Sequence, residues 1–97
     1  MPTYITLYRW TQQGAENIKE SPGRLDAAKQ AMREMGAELR AFYLTMGQYD
    51  MMAIWEAPDD ETAAKAALAL GSKGAVRSET LRAFTEDEYR RIIPALP

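Results

Sequence analysis

The stretch from Leu39 to Ala57, L-R-A-F-Y-L-T-M-G-Q-Y-D-M-M-A-I-W-E-A, predicts two strands folded back on each other about Met46-Gly47-Gln48-Tyr49-Asp50. Both runs are short and apolar, and carry Leu, Phe, Tyr and Thr on one side of the turn and Met, Ile and Trp on the other, residues that suit a pleated surface. Gly47 can take a positive φ without steric cost, as the first position of a primed two-residue turn demands. With Gly47-Gln48 as that turn, Arg40, Phe42 and Leu44 share a face with Met51, Ala53 and Trp55. Leu39, Ala41 and Tyr43 then share the other face with Met52, Ile54 and Glu56. Both faces are largely apolar, so the pair is expected inside a larger structure and not on a wetted surface.

The rest of the chain supplies cover for this hairpin. Thr3 to Trp10 alternates, with Tyr4, Thr6, Tyr8 and Trp10 on one side and Ile5, Leu7 and Arg9 on the other, which predicts a strand. Thr11 caps a short helix through Ile18. Ser21-Pro22 restarts a helix, with Ser21 as cap and Pro22 in the first turn. Leu25, Ala28, Met32 and Met35 then recur at helical spacing, and Gly36 ends the element. Asp59 caps a second, alanine-rich helix through Leu70, whose acidic first turn suits the helix dipole. Residues 75–84 alternate as a fourth strand, with Val76, Ser78, Thr80, Arg82 and Phe84 opposed to Arg77, Glu79, Leu81 and Ala83. Thr85-Glu86-Asp87-Glu88 is a capping box for a last helix through Ile93, stopped by Pro94.

The order β-α-β-β-α-β with an added C-terminal helix predicts one α+β domain over residues 1–97, a ferredoxin-like split βαβ with a four-stranded antiparallel sheet. Helices can cover one face of that sheet, and nothing left in the chain can cover the other. A homodimer through the sheet faces is therefore expected, because so large an exposed apolar patch does not suit a monomer.

Composition narrows the chemistry. Apolar residues at 46% and charged residues at 27% are ordinary for a globular protein. A net charge of −2 offers no general attraction to nucleic acid or to an anionic membrane. No apolar run approaches the ~20 residues of a membrane span, and Met1-Pro2-Thr3 leads straight into a strand, so a cytoplasmic address is expected. The chain has no cysteine and no histidine, which removes thiolate chemistry and any imidazole for a general base, a haem or a zinc ion. Asp59-Asp60-Glu61 and Glu86-Asp87-Glu88 read as helix starts and not as metal ligands. Neither a metal nor another cofactor is expected.

The segments Y-I-T-L-Y-R-W-T-Q-Q-G, R-L-D-A-A-K, F-Y-L-T-M-G-Q-Y-D, A-P-D-D-E and R-S-E-T-L-R-A-F-T-E-D-E resemble the GYD domain family. The name-giving turn is present as Gly47, Tyr49 and Asp50 with Gln48 between, and the resemblance runs from Tyr4 to about Ile93. The family is similar in fold to the dimeric α+β barrels, in which two four-stranded sheets meet face to face. A comparable G-x-Y-D turn occurs in the ligand-sensing domains of the Lrp/AsnC regulators. The resemblance implies fold and dimerisation and says little about activity.

Candidate site residues fall into three groups. Tyr49 and Asp50 either stabilise the hairpin end or form a polar rim for a pocket or a partner subunit. Arg77, Glu79 and Arg82 are charged residues in a strand, and such charges either point at water or pair inside the sheet. Glu79 can pair with Arg77, with Arg40 or with a partner's arginine, while Arg82 or Arg40 can receive a ligand carboxylate. Tyr4, Tyr8, Trp10 and Tyr43, with Trp55, either form core and interface or line a pocket for a flat organic molecule. The function expected is a homodimeric small-molecule-binding or sensing domain. The alternative is a small cofactor-free enzyme of oxygenase, isomerase or cyclase type, whose acid–base work would fall to Glu79, Asp50 or a tyrosine.

Overall fold

A computed structural model covers residues 1–97. Strand β1 (Thr3–Trp10) is followed by the short helix α1 (Gln12–Glu16), a 3₁₀ turn over Ile18–Glu20 and helix α2 (Ser21–Glu34). The hairpin of β2 (Glu38–Leu44) and β3 (Met51–Glu56) leads to α3 (Asp60–Gly71), β4 (Val76–Ala83), α4 (Glu86–Ile92) and a closing 3₁₀ turn over Ile93–Ala95. The four strands form one sheet in the order β2-β3-β1-β4. All three neighbouring pairs are antiparallel. This is the expected ferredoxin-like α+β architecture. No helix is long and apolar enough to cross a membrane.

The alternation in each strand decides which side chains meet the helices. Tyr4, Thr6, Ala53 and Trp55 lie on one face and are buried with Ala37, Ala57 and Ala63. Met32, Ala66, Leu39, Phe42 and Tyr8 pack around this cluster. Tyr4 and Trp55 stack at a tilt with ring centroids 5.0 Å apart. Two polar groups enter the same layer and satisfy their neighbours: Trp55 Nε1 donates to Thr6 Oγ1 at 2.9 Å, and the Thr6 and Thr80 hydroxyls lie 3.0 Å apart. A buried donor left unpaired would cost more than this short chain of bonds does.

The opposite face carries Ile5, Leu7, Ala41, Tyr43, Met52, Ile54 and Leu81 and has no helix over it. Tyr43 is 56% exposed and Leu81 44%. Only 10 of 97 residues are buried, so a single chain leaves much of its apolar surface uncovered.

Several local details differ from the sequence reading. The hairpin connection is wider than a two-residue turn: it closes where the Thr45 N–H donates to Asp50 O at 2.9 Å, and the Thr45 hydroxyl donates to Tyr49 O at 2.6 Å. Asp50 is drawn out of the turn because its N–H donates to Tyr8 O at 2.8 Å. Gly47 does take a positive φ of 110°. A bulge between Leu39 and Ala41 sets Leu39 opposite Trp55 and removes Arg40 from that face. The physical gain is plain, since the core receives leucine and the guanidinium goes to Glu56 at 2.6 Å and Glu38 at 3.5 Å. Ser21 is not a cap: the preceding 3₁₀ turn runs directly into α2, and Glu20 at the junction makes no side-chain capping bond. Thr11, Asp59 and Thr85 cap α1, α3 and α4 as expected, and Thr85 with Glu88 forms both bonds of the capping box.

Gly14 shows why α1 lies where it does. An ideal Cβ at this position would sit 2.0 Å from the Ala75 carbonyl oxygen, so only glycine allows the helix to rest against the start of β4. The Thr11 N–H donates to that same carbonyl at 3.1 Å.

Candidate functional site

Helices α2 and α3 stand apart over the covered face of the sheet. Between them lies a cavity of about 480 Å³. Its floor includes Thr6, Tyr8, Trp10, Phe42, Ala53 and Trp55; Leu25, Ala28 and Met32 wall it from α2, and Ala66, Ala67 and Leu70 from α3. Of its 29 lining residues 21 are hydrophobic, which suits it to a mainly apolar occupant, and none is a carboxylate. Arg24, Lys29 and Lys73 also line it. Ala28 on α2 and Ala66 and Ala67 on α3 are small side chains that leave part of this space unfilled.

A smaller cleft of about 230 Å³ opens beside the start of α3, lined by Tyr4, Asp60, Thr80 and Arg82 among others. The Tyr4 hydroxyl donates to Asp60 Oδ1 at 2.5 Å, and Arg82 Nε lies 3.8 Å from the same oxygen. Burial, and then the Asp60 carboxylate, push the Tyr4 phenol up to about 12. The Arg82 guanidinium sits 5.7 Å from the centre of the Tyr4 ring and 4.5 Å from that of Phe84. It also donates to the carbonyls of Thr3 and Ala83. Burial likewise raises the Tyr8 phenol. Both shifts keep these phenols protonated further into the alkaline range than a free tyrosine.

The remaining candidates do not join these two. Tyr43, Arg77 and Glu79 are on the open face, and Arg40 lies there with Glu56. Glu79 pairs with neither Arg77 nor Arg40; its Oε2 accepts from the Tyr49 hydroxyl at 2.8 Å, and that bond raises the Tyr49 phenol. Arg40 cannot reach Glu79 within one chain, because β2 and β4 are the two outer strands. Arg77 lies beside Arg9 across the β1–β4 ladder. The Arg9 guanidinium covers the Tyr49 ring at 4.9 Å, and its Nε donates to Gln48 O at 2.9 Å. Asp50 does not bond turn amides; its Oδ2 accepts from the Trp10 backbone N–H at 3.0 Å and so extends the pairing of the hairpin with β1.

The ten candidates thus divide among three places. Tyr8 and Trp10 line the large cavity, Tyr4 and Arg82 the small cleft, and the other six lie on the open face or at the hairpin end. Neither Glu79 nor Asp50, the carboxylates an enzyme reading relies on, lines the cavity. Sequence reasoning missed the helical walls. Ala28, Ala66 and Ala67 carry the right signal, small residues on the inner helix faces, but the same signal describes close packing.

A split βαβ sheet with two helices on one side, a ligand-sized apolar hollow beneath them and a bare second face defines a ferredoxin-like α+β domain. Residues 4–93 match the model of the GYD domain, and the chain belongs to that family. It is 39% identical over 85 residues to a Thermus thermophilus protein named glutamine synthetase and cystathionine beta-lyase binding protein, a match covering 87% of this chain and 90% of the other. Its fold is similar to the crystal structure of TTHA0845, also from Thermus thermophilus, with a TM-score of 0.57 at 26% identity, over 88% of this chain and 95% of that one.

Proposed function

We infer that this chain is a cytoplasmic homodimeric binding domain that takes a small, mainly apolar organic molecule between its sheet and helices α2 and α3. The observation that carries the reading is the cavity of about 480 Å³ with its largely hydrophobic lining. Ligand sites commonly measure roughly 300–1,000 Å³ and present few polar groups. An apolar ligand would restore the dispersion contacts that such a hollow lacks. The two arginines read from the sequence as carboxylate receptors are engaged elsewhere, Arg82 by Asp60 and Arg40 by Glu38 and Glu56, so a ligand's charged group would be met in this cavity by Arg24, Lys29 and Lys73 instead. Titration of the purified protein with the neutral fluorophore 1-aminoanthracene tests this. Saturable emission with one site per chain is expected, and Ala67→Phe should abolish it by filling the hollow. Emission that never saturates, or that survives Ala67→Phe and Ala28→Phe alike, refutes the reading.

The uncovered apolar face supports the homodimer. Leu7 and Ile54 stand on its two central strands, so a charge there meets the partner's apolar surface. Light scattering should give two chains per particle, and Leu7→Lys should give one. A wild-type monomer at micromolar concentration removes the dimer.

The relative's name favours a second reading, in which this chain binds another protein. Size-exclusion chromatography of the purified chain mixed with purified glutamine synthetase, and separately with cystathionine beta-lyase, tests it. Co-elution with either supports the reading, and independent elution from both removes it.

A further inference from the structure

The walls of the cavity are mostly apolar, yet their charge is one-sided. The chain has 12 basic and 14 acidic residues, but Arg24, Lys29 and Lys73 line the hollow and no Asp or Glu does. Two of these cations belong to one end of it. Arg24 Nη1 donates to Asn17 O at 3.0 Å, and its Nη2 donates to Gly14 O at 3.4 Å, so the guanidinium is held beside α1. Gly14 in turn rests against Ala75, and Lys73 precedes Ala75 in the connection from α3 to β4. The α1 end of the cavity therefore gathers Arg24 from one wall and Lys73 from the other. Lys29 stands about 7.5 Å further along α2.

These charges are not neutralised within the chain. The Glu20 carboxylate lies 3.8 Å from Arg24 and is 73% exposed, a geometry that contributes little. Neither Lys29 nor Lys73 takes part in an ion pair. Such side chains rest their stems on apolar surface and keep the charged head toward water. An anion brought to the same place pairs where water is partly excluded, and there the attraction exceeds that of a fully exposed pair. A neutral ligand gains none of this, and an ammonium is repelled. A carboxylate suits a guanidinium and an ammonium together, since a charge-assisted hydrogen bond is about twice as strong as a neutral one. The rest of the ligand must be apolar, and the rings of Tyr8, Phe42 and Trp55 favour a flat one by offset stacking.

We propose that the cavity selects an ionised aromatic carboxylic acid, its carboxylate at the α1 end with Arg24 and Lys73 and its ring among Tyr8, Phe42 and Trp55. This rests on the ligand-binding reading above and adds to it the charge and the orientation of the ligand.

A matched pair separates the two ideas. At pH 7, 2-naphthoate and 2-naphthamide have nearly the same shape and differ in charge. Each is titrated against bound 1-aminoanthracene in the wild type, Arg24→Gln, Lys73→Gln and Lys65→Gln. Lys65 pairs with Glu61 outside the cavity, so its variant controls for net charge. Charge-assisted bonds correspond to roughly ten-fold or more in affinity, and naphthoate should bind the wild type tighter than naphthamide by that factor. The ratio should fall roughly three-fold or more in Arg24→Gln and in Lys73→Gln and hold in Lys65→Gln. Added salt should weaken naphthoate and leave naphthamide unchanged. Lys73 is exposed, so its variant keeps the test open even where Arg24→Gln loosens α1. If the wild type binds both compounds alike, or prefers the amide, the carboxylate assignment is overturned and the cavity reading stands. A naphthoate preference that is unchanged in both cavity variants overturns the placement at the α1 end. If neither compound displaces the fluorophore from a protein that binds it, the carboxylate assignment also fails. If the fluorophore itself does not bind, both ideas fall together.

Discussion

Replacing Gly14 by alanine sets two effects of opposite sign against each other. Gly14 lies within α1, and alanine in a helix interior is favoured over glycine by about 1 kcal/mol. The added Cβ, however, would stand 2.0 Å from the Ala75 carbonyl oxygen and 2.9 Å from its carbon. That carbonyl cannot simply yield, because it immediately precedes β4 and accepts the Thr11 N–H at 3.1 Å. The Thr11 hydroxyl binds the neighbouring carbonyl of Gly74 at 2.5 Å while capping the Gly14 N–H at 3.1 Å. Relief means lifting α1 away from the sheet, at the expense of these bonds. Overpacking costs typically about 1–3 kcal/mol, and each lost hydrogen bond about 1 kcal/mol more. The net expectation is a destabilisation of about 1–3 kcal/mol. In a domain of this size 1 kcal/mol corresponds to about 4–8 °C in Tm, so the melt should fall by at least ~4 °C. Thermal denaturation followed by circular dichroism measures this, with wild type and variant held at one protein concentration because any self-association makes Tm concentration-dependent. Gly23→Ala in α2 is the control: nothing lies within 4 Å of its Cβ position, and it should hold or raise Tm. A Gly14→Ala protein that melts with or above the wild type would refute the close approach as the reason for glycine.

Asp50→Ala leaves the Trp10 N–H without its carboxylate acceptor and should cost about 1–3 kcal/mol; faster hydrogen exchange at the Trp10 amide than at β1 amides further from the hairpin would confirm the site of the loss. Thr85→Ala removes half of the capping box and should cost about 1 kcal/mol within α4. Because Tyr89, Ile92 and Ile93 are exposed, that loss should speed exchange in 86–92 while leaving the global melt unchanged. The Tyr4 phenol titrates near 10.0 when unfolded and at about 12 when folded, so the stability it contributes is complete below pH 10 and is lost as pH rises towards 12. Tyr4→Phe should flatten the alkaline decline over that window and leave the part due to Tyr8; parallel declines in the two proteins would refute the coupling.

Strands and helices were legible because their signals are local. Alternation marks each strand, and Thr11, Asp59 and Thr85 mark helix starts within three residues of the amides they bind. Features set by distant neighbours were not legible. A period-two reading cannot detect the extra residue at Arg40, although Glu38 and Glu56 on either side hint at where a guanidinium would settle. Asp50 reads as a turn residue until Trp10, forty positions away in sequence, is seen to donate to it. The cavity was hidden for a similar reason. Alanines on α3 permit a helix to lie close or to leave room, and the sequence of that helix alone does not decide between the two. Tyr8 and Trp10 were readable as pocket aromatics, but which face would lie under helices was not.

The sheet order has a consequence for how the chain assembles. Strand β1, the first to be synthesised, lies between β3 and β4, and its residue Thr3 pairs with Glu56 on one side and Ala83 on the other. Its ladders therefore close loops of more than fifty and nearly eighty residues, and such non-local closure slows folding. Until Val76 and the residues after it emerge, the N-terminal strand keeps one ladder of amides and carbonyls open to any passing β segment. A nascent chain halted in α3 would expose that edge, so the segment from Val76 to Ala83 acts as the latch that protects β1.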